Sequence, residues 1–220
     1  NISFSNLIMK NVTGPITVGL DSSRRNPNID PETTPAPTKG IVKNISFNGI
    51  RGFVVAEGRQ HSDLPWPQKF RPGETRHCIV INGVGDDVIE NISFQDIHFT
   101  FEGGGTTAEA AAEVPKIAGE YFEIGTPPSY GLYARNVRGL TVNNVRLELS
   151  KPDKRPAVDF ENVVDATVNG LTAHGDSGAK SLIRIKNTHA VLFTATRVLT
   201  PAASFLELVG SNNSGITIDG

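Results

Sequence analysis

The chain has a single cysteine, Cys78, among 220 residues, which excludes an intrachain disulfide framework and a multi-cysteine zinc site. It has little net charge: 21 basic and 23 acidic side chains leave a formal −2, so nothing in the bulk electrostatics recruits nucleic acid or an acidic membrane. No apolar run approaches the length of a membrane span. Aromatic residues make up 7% of the chain, and Trp66 is the sole tryptophan. No nucleotide-binding glycine loop, nucleophile elbow or metal-ligand spacing occurs, and no cofactor is expected.

What the chain does have is self-similarity. The tetrapeptide NISF occurs at Asn1–Phe4, Asn44–Phe47 and Asn91–Phe94. Extended in register, the units are ISFSN, ISFNG, ISFQD, LTVNN, ATVNG, VLFTA and ITIDG. Their central residues, Phe4, Phe47, Phe94, Val142, Val168, Phe193 and Ile218, lie 43, 47, 48, 26, 25 and 25 positions apart. A second ladder runs through CIVING, GLYARN, AVDFEN, LIRIKN and FLELVG, with ITVGLD as a looser early member. A third follows the NISF-type units, as in IHFTF and VRLEL. Each alternates apolar with polar residues, the period of a strand with one buried face.

Three short strands per repeat of about 25 residues exclude a helical repeat and fit stacked parallel coils. The expected fold is all-β: a right-handed parallel β-helix, one solenoid segment over residues 1–220, with long loops inserted in the N-terminal half. The turn column Asn6, Gly49, Asp96, Asn144, Gly170, Ala195, Gly220 suits left-handed backbone everywhere except at Ala195. The loops span 21–40, 56–77 and 102–130, the last with a short helix expected near Thr107 to Glu113. The chain starts at Asn1 and stops in mid-pattern, so it is expected to be a piece of a longer one.

The succession NISFSNLIMKNV, IVKNISFNGI, VIENISFQDIHF, YGLYARNVRGLTVNNVRL and AVDFENVVDATVNGL resembles the C-terminal coils of polygalacturonase-like enzymes, glycoside hydrolase family 28. The resemblance covers nearly the whole chain. It implies a secreted glycosidase, extracellular or periplasmic, that hydrolyses pectic, galacturonate-type polysaccharide in the cell wall by acid/base attack of water. That family's order of motifs is Asn-Thr-Asp, Asp-Asp, Gly-His-Gly, Arg-Ile-Lys, and a coil like NISFSNLIMKNV follows the last of them. The catalytic aspartates are therefore expected upstream of Asn1, and this chain alone is expected to be inactive. Where many relatives carry a tyrosine near the strand matching ITVGLD, this chain has Asp21, Ser22 and Ser23.

Several residues echo those motifs. Arg184-Ile185-Lys186 sits in the first-strand ladder, where two cations suit a uronate carboxylate. Alternation places them in outward columns, Tyr133, Asp159, Arg184, Glu207 and Arg135, Glu161, Lys186, which favours a surface ladder of ion pairs worth about 0–1 kcal/mol each. Asp86-Asp87 and His174 fall in connections several coils apart, a turn pair and a loop histidine rather than a catalytic set. Asp159, Glu161 and Glu207 form an acidic cluster, with Asp159 and Glu207 two coils apart. That is near the separation an inverting glycosidase needs, but Arg184 between them would keep both ionised. The loop residues Arg24, Arg25, Arg59, His61 and Trp66 are candidate sugar contacts. The alternative is a non-catalytic β-helix, a polysaccharide-binding module or surface adhesin. A β-helical lyase would need a calcium-binding acidic cluster, and none is legible.

Overall fold

The computed structural model describes residues 1–23, 39–59, 65–67 and 69–219. In chain order the strands are β1 (Ile2–Ser5), β2 (Ile8–Val12), β3 (Ile16–Leu20), β4 (Lys43–Asn48) and β5 (Arg51–Val54). Then come β6 (Ile79–Gly83), β7 (Ile89–Phe101), β8 (Leu132–Leu149), β9 (Val158–Asn169) and β10 (Thr172–His174). The last are β11 (Ile183–Lys186), β12 (His189–Thr194), β13 (Arg197–Thr200), β14 (Leu206–Val209) and β15 (Ser214–Asp219). Two single-turn helices, α1 (Thr107–Ala110) and α2 (Tyr121–Ile124), lie between β7 and β8.

Every pairing between named strands is parallel, and none joins sequence neighbours through a hairpin. The fold is an all-β parallel solenoid built as three ladders. First strands stack in the order β3, β6, β8, β9, β11, β14; second strands run β1, β4, β7, β8, β9, β12, β15. The third ladder begins β2, β5, β7, β8 and continues through β10 to β13. The long strands β7, β8 and β9 run through coil corners, so each serves two or three ladders.

The interior column expected from NISF is present residue for residue. Phe4 pairs with Phe47, Phe47 with Phe94, Phe94 with Val142, Val142 with Val168, Val168 with Phe193 and Phe193 with Ile218. The rings of Phe4, Phe47 and Phe94 stack at 5.2 and 5.1 Å, nearly parallel. The column is dry in the middle and open at its ends: Phe94 is 1% exposed, Phe4 43% and Ile218 54%.

Corners between strands follow from backbone chemistry. Asn6, Gly49, Asp96, Asn144, Gly170 and Ala195 all have φ between 50° and 68°, the region that Gly, Asn and Asp tolerate best. A second left-handed column, which the sequence did not announce, contains Asn44, Asn91, Gly139, Asp165, Ala190 and Gly215. The Asn of NISF is thus a corner residue and not the first residue of a flat strand. Amides bond up the stack, Asn91 to Asn44 at 3.0 Å, Asn162 to Asn136 at 3.0 Å and Asn169 to Asn143 at 2.9 Å. These links satisfy side-chain groups at the corners and, for Asn143 and Asn169, at the strand ends beside them.

A buried ion pair helps tie the second and third insertions to the coils. Arg155 clasps Asp153 through two nitrogens at 2.9 and 2.8 Å, with both side chains at most 2% exposed. The remaining Arg155 nitrogen donates to the carbonyls of Arg76, Pro127 and Ser129, while Asp153 accepts from Gly105 N. Such a pair withstands burial because its remaining donors and acceptors are satisfied. Close by, His77 is 1% exposed, edge-on to the Tyr121 ring at 5.4 Å, and neither of its ring nitrogens has a hydrogen-bond partner among the described residues.

Two measurements check this description. Phe94→Ala should cost about 3–5 kcal/mol in denaturant unfolding, whereas Phe4→Ala, at the open end, should cost about 1–2 kcal/mol; equal costs would contradict the stacked column. Burial lowers the His77 pKa from 6.5 to about 4, outweighing the nearby Tyr121 and Gly125 backbone, which raise it, while the Arg155 charge adds to the lowering. An unfolded chain therefore takes up this proton near pH 6.5 while the folded one refuses it until about pH 4, so stability falls as pH drops through that window. His77→Phe should remove that slope, on the order of 3 kcal/mol across the window, in unfolding curves at pH 7 and pH 4.

Candidate functional site

The outer face of the first-strand ladder carries the densest charge. Strand register places Tyr133, Asp159, Arg184 and Glu207 in one column and Asn82, Arg135, Glu161, Lys186 and Val209 in the next. Both outward columns inferred from alternation are therefore real.

Their surroundings differ from the expected open surface. The segment leaving α1 crosses this face as a strap over 111–117. Arg135 donates to Asn82 Oδ1 at 2.8 Å and to the strap carbonyls of Val114 and Pro115 at 2.9 and 2.7 Å. Asn82 donates to Ile117 O at 2.8 Å, and Arg184 to Ala110 O. Arg135 is accordingly 7% exposed and Asp159 3%. Elsewhere α1 is held by a capping box between Thr106 and Glu109, and Glu109 also pairs with Arg76. The helix expected near Thr107 to Glu113 forms over Thr107–Ala110; beyond it the chain opens out to make the strap.

Between strap and sheet lies a cleft of about 700 Å³ whose polar lining includes Glu113, Lys116, Tyr133, Asp159, Glu161 and Lys186. Arg184 Nη2 meets Asp159 Oδ2 at 2.5 Å, and Lys186 Nζ meets Glu161 Oε1 at 3.1 Å. Tyr133 donates its hydroxyl to Glu161 Oε2 at 3.1 Å. Glu207 does not continue the ladder to Arg184; its carboxylate is held by Lys180. Burial pushes the Asp159 carboxyl above its usual range, with the Arg184 bond pulling it back. Burial likewise raises the Tyr133 phenol, so it remains a hydrogen-bond donor. Asp159 and Glu161 each have a cationic partner and can still accept from hydroxyl donors.

The other sequence candidates lie elsewhere. Arg24, Arg25 and His61 are outside the described residues. Arg59 pairs with Glu102 at 3.5 Å, and Trp66 is 59% exposed; neither lines the cleft. Asp86 and Asp87 follow β6, where Asp87 accepts from Ser22 N at 2.5 Å. His174 ends β10 and accepts from Leu149 N at 2.9 Å through Nδ1, beside a separate hollow with Lys151 and Thr200. Asp86 and His174 share no cleft. Among the described residues no group of three or more His, Cys, Asp or Glu side chains is placed to hold a metal ion. Sequence reasoning missed the strap residues Glu113 and Lys116, since a run of Ala and Glu gives no sign of where it docks.

No protein-family model matches the chain, and no curated protein matches it in sequence. Among solved structures it is similar to one from Parabacteroides merdae ATCC 43184 named a "putative glycosyl hydrolase". That likeness has a TM-score of 0.42 and 11% identity over 82% of this chain and 78% of the other. Similarity at this level assigns no role to any residue here.

Arg135→Met removes two hydrogen bonds between sheet and strap and a third to Asn82, which itself holds the strap at Ile117. It should accelerate limited proteolysis within 111–117 and lower stability by about 2–4 kcal/mol. Unchanged cleavage would show that the strap is held by something else.

Proposed function

We propose that this chain is part of a glycoside hydrolase acting on pectic, galacturonate-type polysaccharide, to which it contributes scaffold and one end of the substrate groove. The resemblance of its strand succession to polygalacturonase-like coils motivates the reading. The observation that carries it is the strap-roofed cleft on the outer face of the first strands, the face on which that family places its catalytic aspartates. The catalytic aspartates belong to coils outside this chain, where water is activated for attack without a cofactor. Within the cleft, Glu161 and Asp159 accept from sugar hydroxyls while Tyr133 and the strap fix the ring. The enzyme acts outside the cytoplasm, where pectic polymers are found.

The second reading, a non-catalytic polysaccharide-binding solenoid, is favoured by one specific observation: Asp159 and Glu161 each bear an ion-pair partner, so the floor of the cleft is already charge-compensated.

Affinity electrophoresis in pectin-containing gels, beside a reducing-sugar assay on polygalacturonate, tests both. Retardation by pectin without release of reducing ends is expected of this chain. Release of reducing ends would place the catalytic groups within it, and absence of any retardation would remove the groove.

A further inference from the structure

The hollow beside His174, of about 380 Å³, shares no lining residue with the strap-roofed cleft. It opens where β8 and β10 end, and the histidine on its wall is fixed twice over. Tyr130, 1% exposed, donates its hydroxyl to His174 O at 2.7 Å, which anchors the backbone from inside the solenoid. The Leu149 amide donates to Nδ1 at 2.9 Å, which anchors the ring from the preceding coil. An amide N–H can only donate, so Nδ1 is the acceptor and the proton of the neutral ring sits on Nε2. Nε2 has no partner among the described residues.

The turn that follows is set as closely. Gly175 N donates to Thr200 O of the next coil at 2.8 Å, and Thr200 Oγ1 donates back to Gly175 O at 2.6 Å. A Cβ on Gly175 would come within 2.6 Å of Ala202 N, so the approach needs a glycine. Asp176 Oδ1 accepts from Gly178 N at 2.7 Å, which leaves Oδ2 without a partner among the described residues. A fixed donor and a fixed acceptor therefore line one hollow, and Leu149, Pro152 and Pro201 add apolar surface to it. Lys151, also on the wall, is engaged by Glu102 at 3.0 Å.

This set narrows the chemistry. With one ring nitrogen accepting and the other protonated, neutral His174 has no lone pair left for a metal ion or for a substrate proton. What it offers is a hydrogen bond. A ligand must bring an acceptor for Nε2–H, a donor for Asp176 and an apolar surface, all within one small unit. Neighbouring hydroxyls on a pyranose ring supply the first two, and the C–H face of the ring suits the prolines. We infer that this hollow is a second saccharide-binding site, separate from the cleft. It holds one pyranose unit by adjacent hydroxyls, His174 donating to one and Asp176 accepting from the other. Neutral hexoses and uronates share that hydroxyl pair.

The test is proton–nitrogen NMR of the imidazoles in the full chain labelled at histidine, with a galactose tetramer and a galacturonate tetramer as separate probes. The His174 signals, identified by their loss in His174→Gln, should show the Nε2–H tautomer before either probe is added. A saturable shift of Nε2 with either tetramer supports the site, and the probe that causes it tells a neutral unit from a uronate. Asp176→Asn keeps a turn-capping oxygen and should weaken that binding roughly ten-fold; an unchanged affinity would overturn the paired-hydroxyl assignment. A ring found as the Nδ1–H tautomer, or one that responds to neither probe, would overturn the site. Retardation in pectin gels without any shift at His174 would overturn it while leaving the groove in place. A shift with the galactose tetramer alone, in a chain that pectin gels do not retard, would keep this site and remove the groove. Should Asp176→Asn fail to fold, the wild-type titration still decides.

Discussion

Parallel register between successive coils is the constraint on which everything else depends. A strand of four or five residues has little stability of its own, but stacked in register it shares its hydrogen bonds and its inward side chain with the coils on either side. The column from Phe4 to Ile218 is the visible result. Register holds because a slip by one residue would turn each inward Phe or Val to solvent and each outward charge into the core. The same register sets charges of opposite sign against one another on the outer face, without any loop having to place them.

The loops then act on a surface already made. Arg135 and Arg184 project from rigid strands, and the strap comes to them, receiving hydrogen bonds on its carbonyls. A scaffold of this kind makes a cleft by roofing a flat sheet rather than by hollowing out a core. The roof also changes the energetics beneath it: an ion pair worth little in open water becomes more costly to separate once partly desolvated. Asp159 and Arg184 are in that position.

The coils were legible in the sequence to the residue, and the site was legible only in part. Period-two alternation with a fixed repeat is a local signal, so Phe47, Phe94 and Val142 could be aligned by inspection, and so could the charged columns containing Arg184 and Lys186. Left-handed corners at Asn6, Asp96 and Asn144 were readable from residue type. The corner at Asn44 and Asn91 was not, because those residues opened a motif that looked like strand throughout. What the sequence could not show was where the insertions dock. Asp153 and Arg155 lie in a proline-flanked turn outside every ladder, and nothing local marks them as the buried clasp for two distant segments. The same gap explains why the outer charges were read as open surface: the strap that covers them arrives from outside the repeat.

The two alanines at left-handed corners carry a consequence for how the molecule comes apart. Ala190 and Ala195 belong to the same late coil, at positions where earlier coils use Asn, Asp or Gly. A residue with a Cβ and no side-chain amide pays for that geometry without compensation, about 1–2 kcal/mol each. Because each turn of a solenoid leans only on its neighbours, weakness gathered in one coil is not shared out along the stack. The coil holding Ala190 and Ala195 is therefore a local weak link in the spiral, set apart from the tightly packed coils around Phe94.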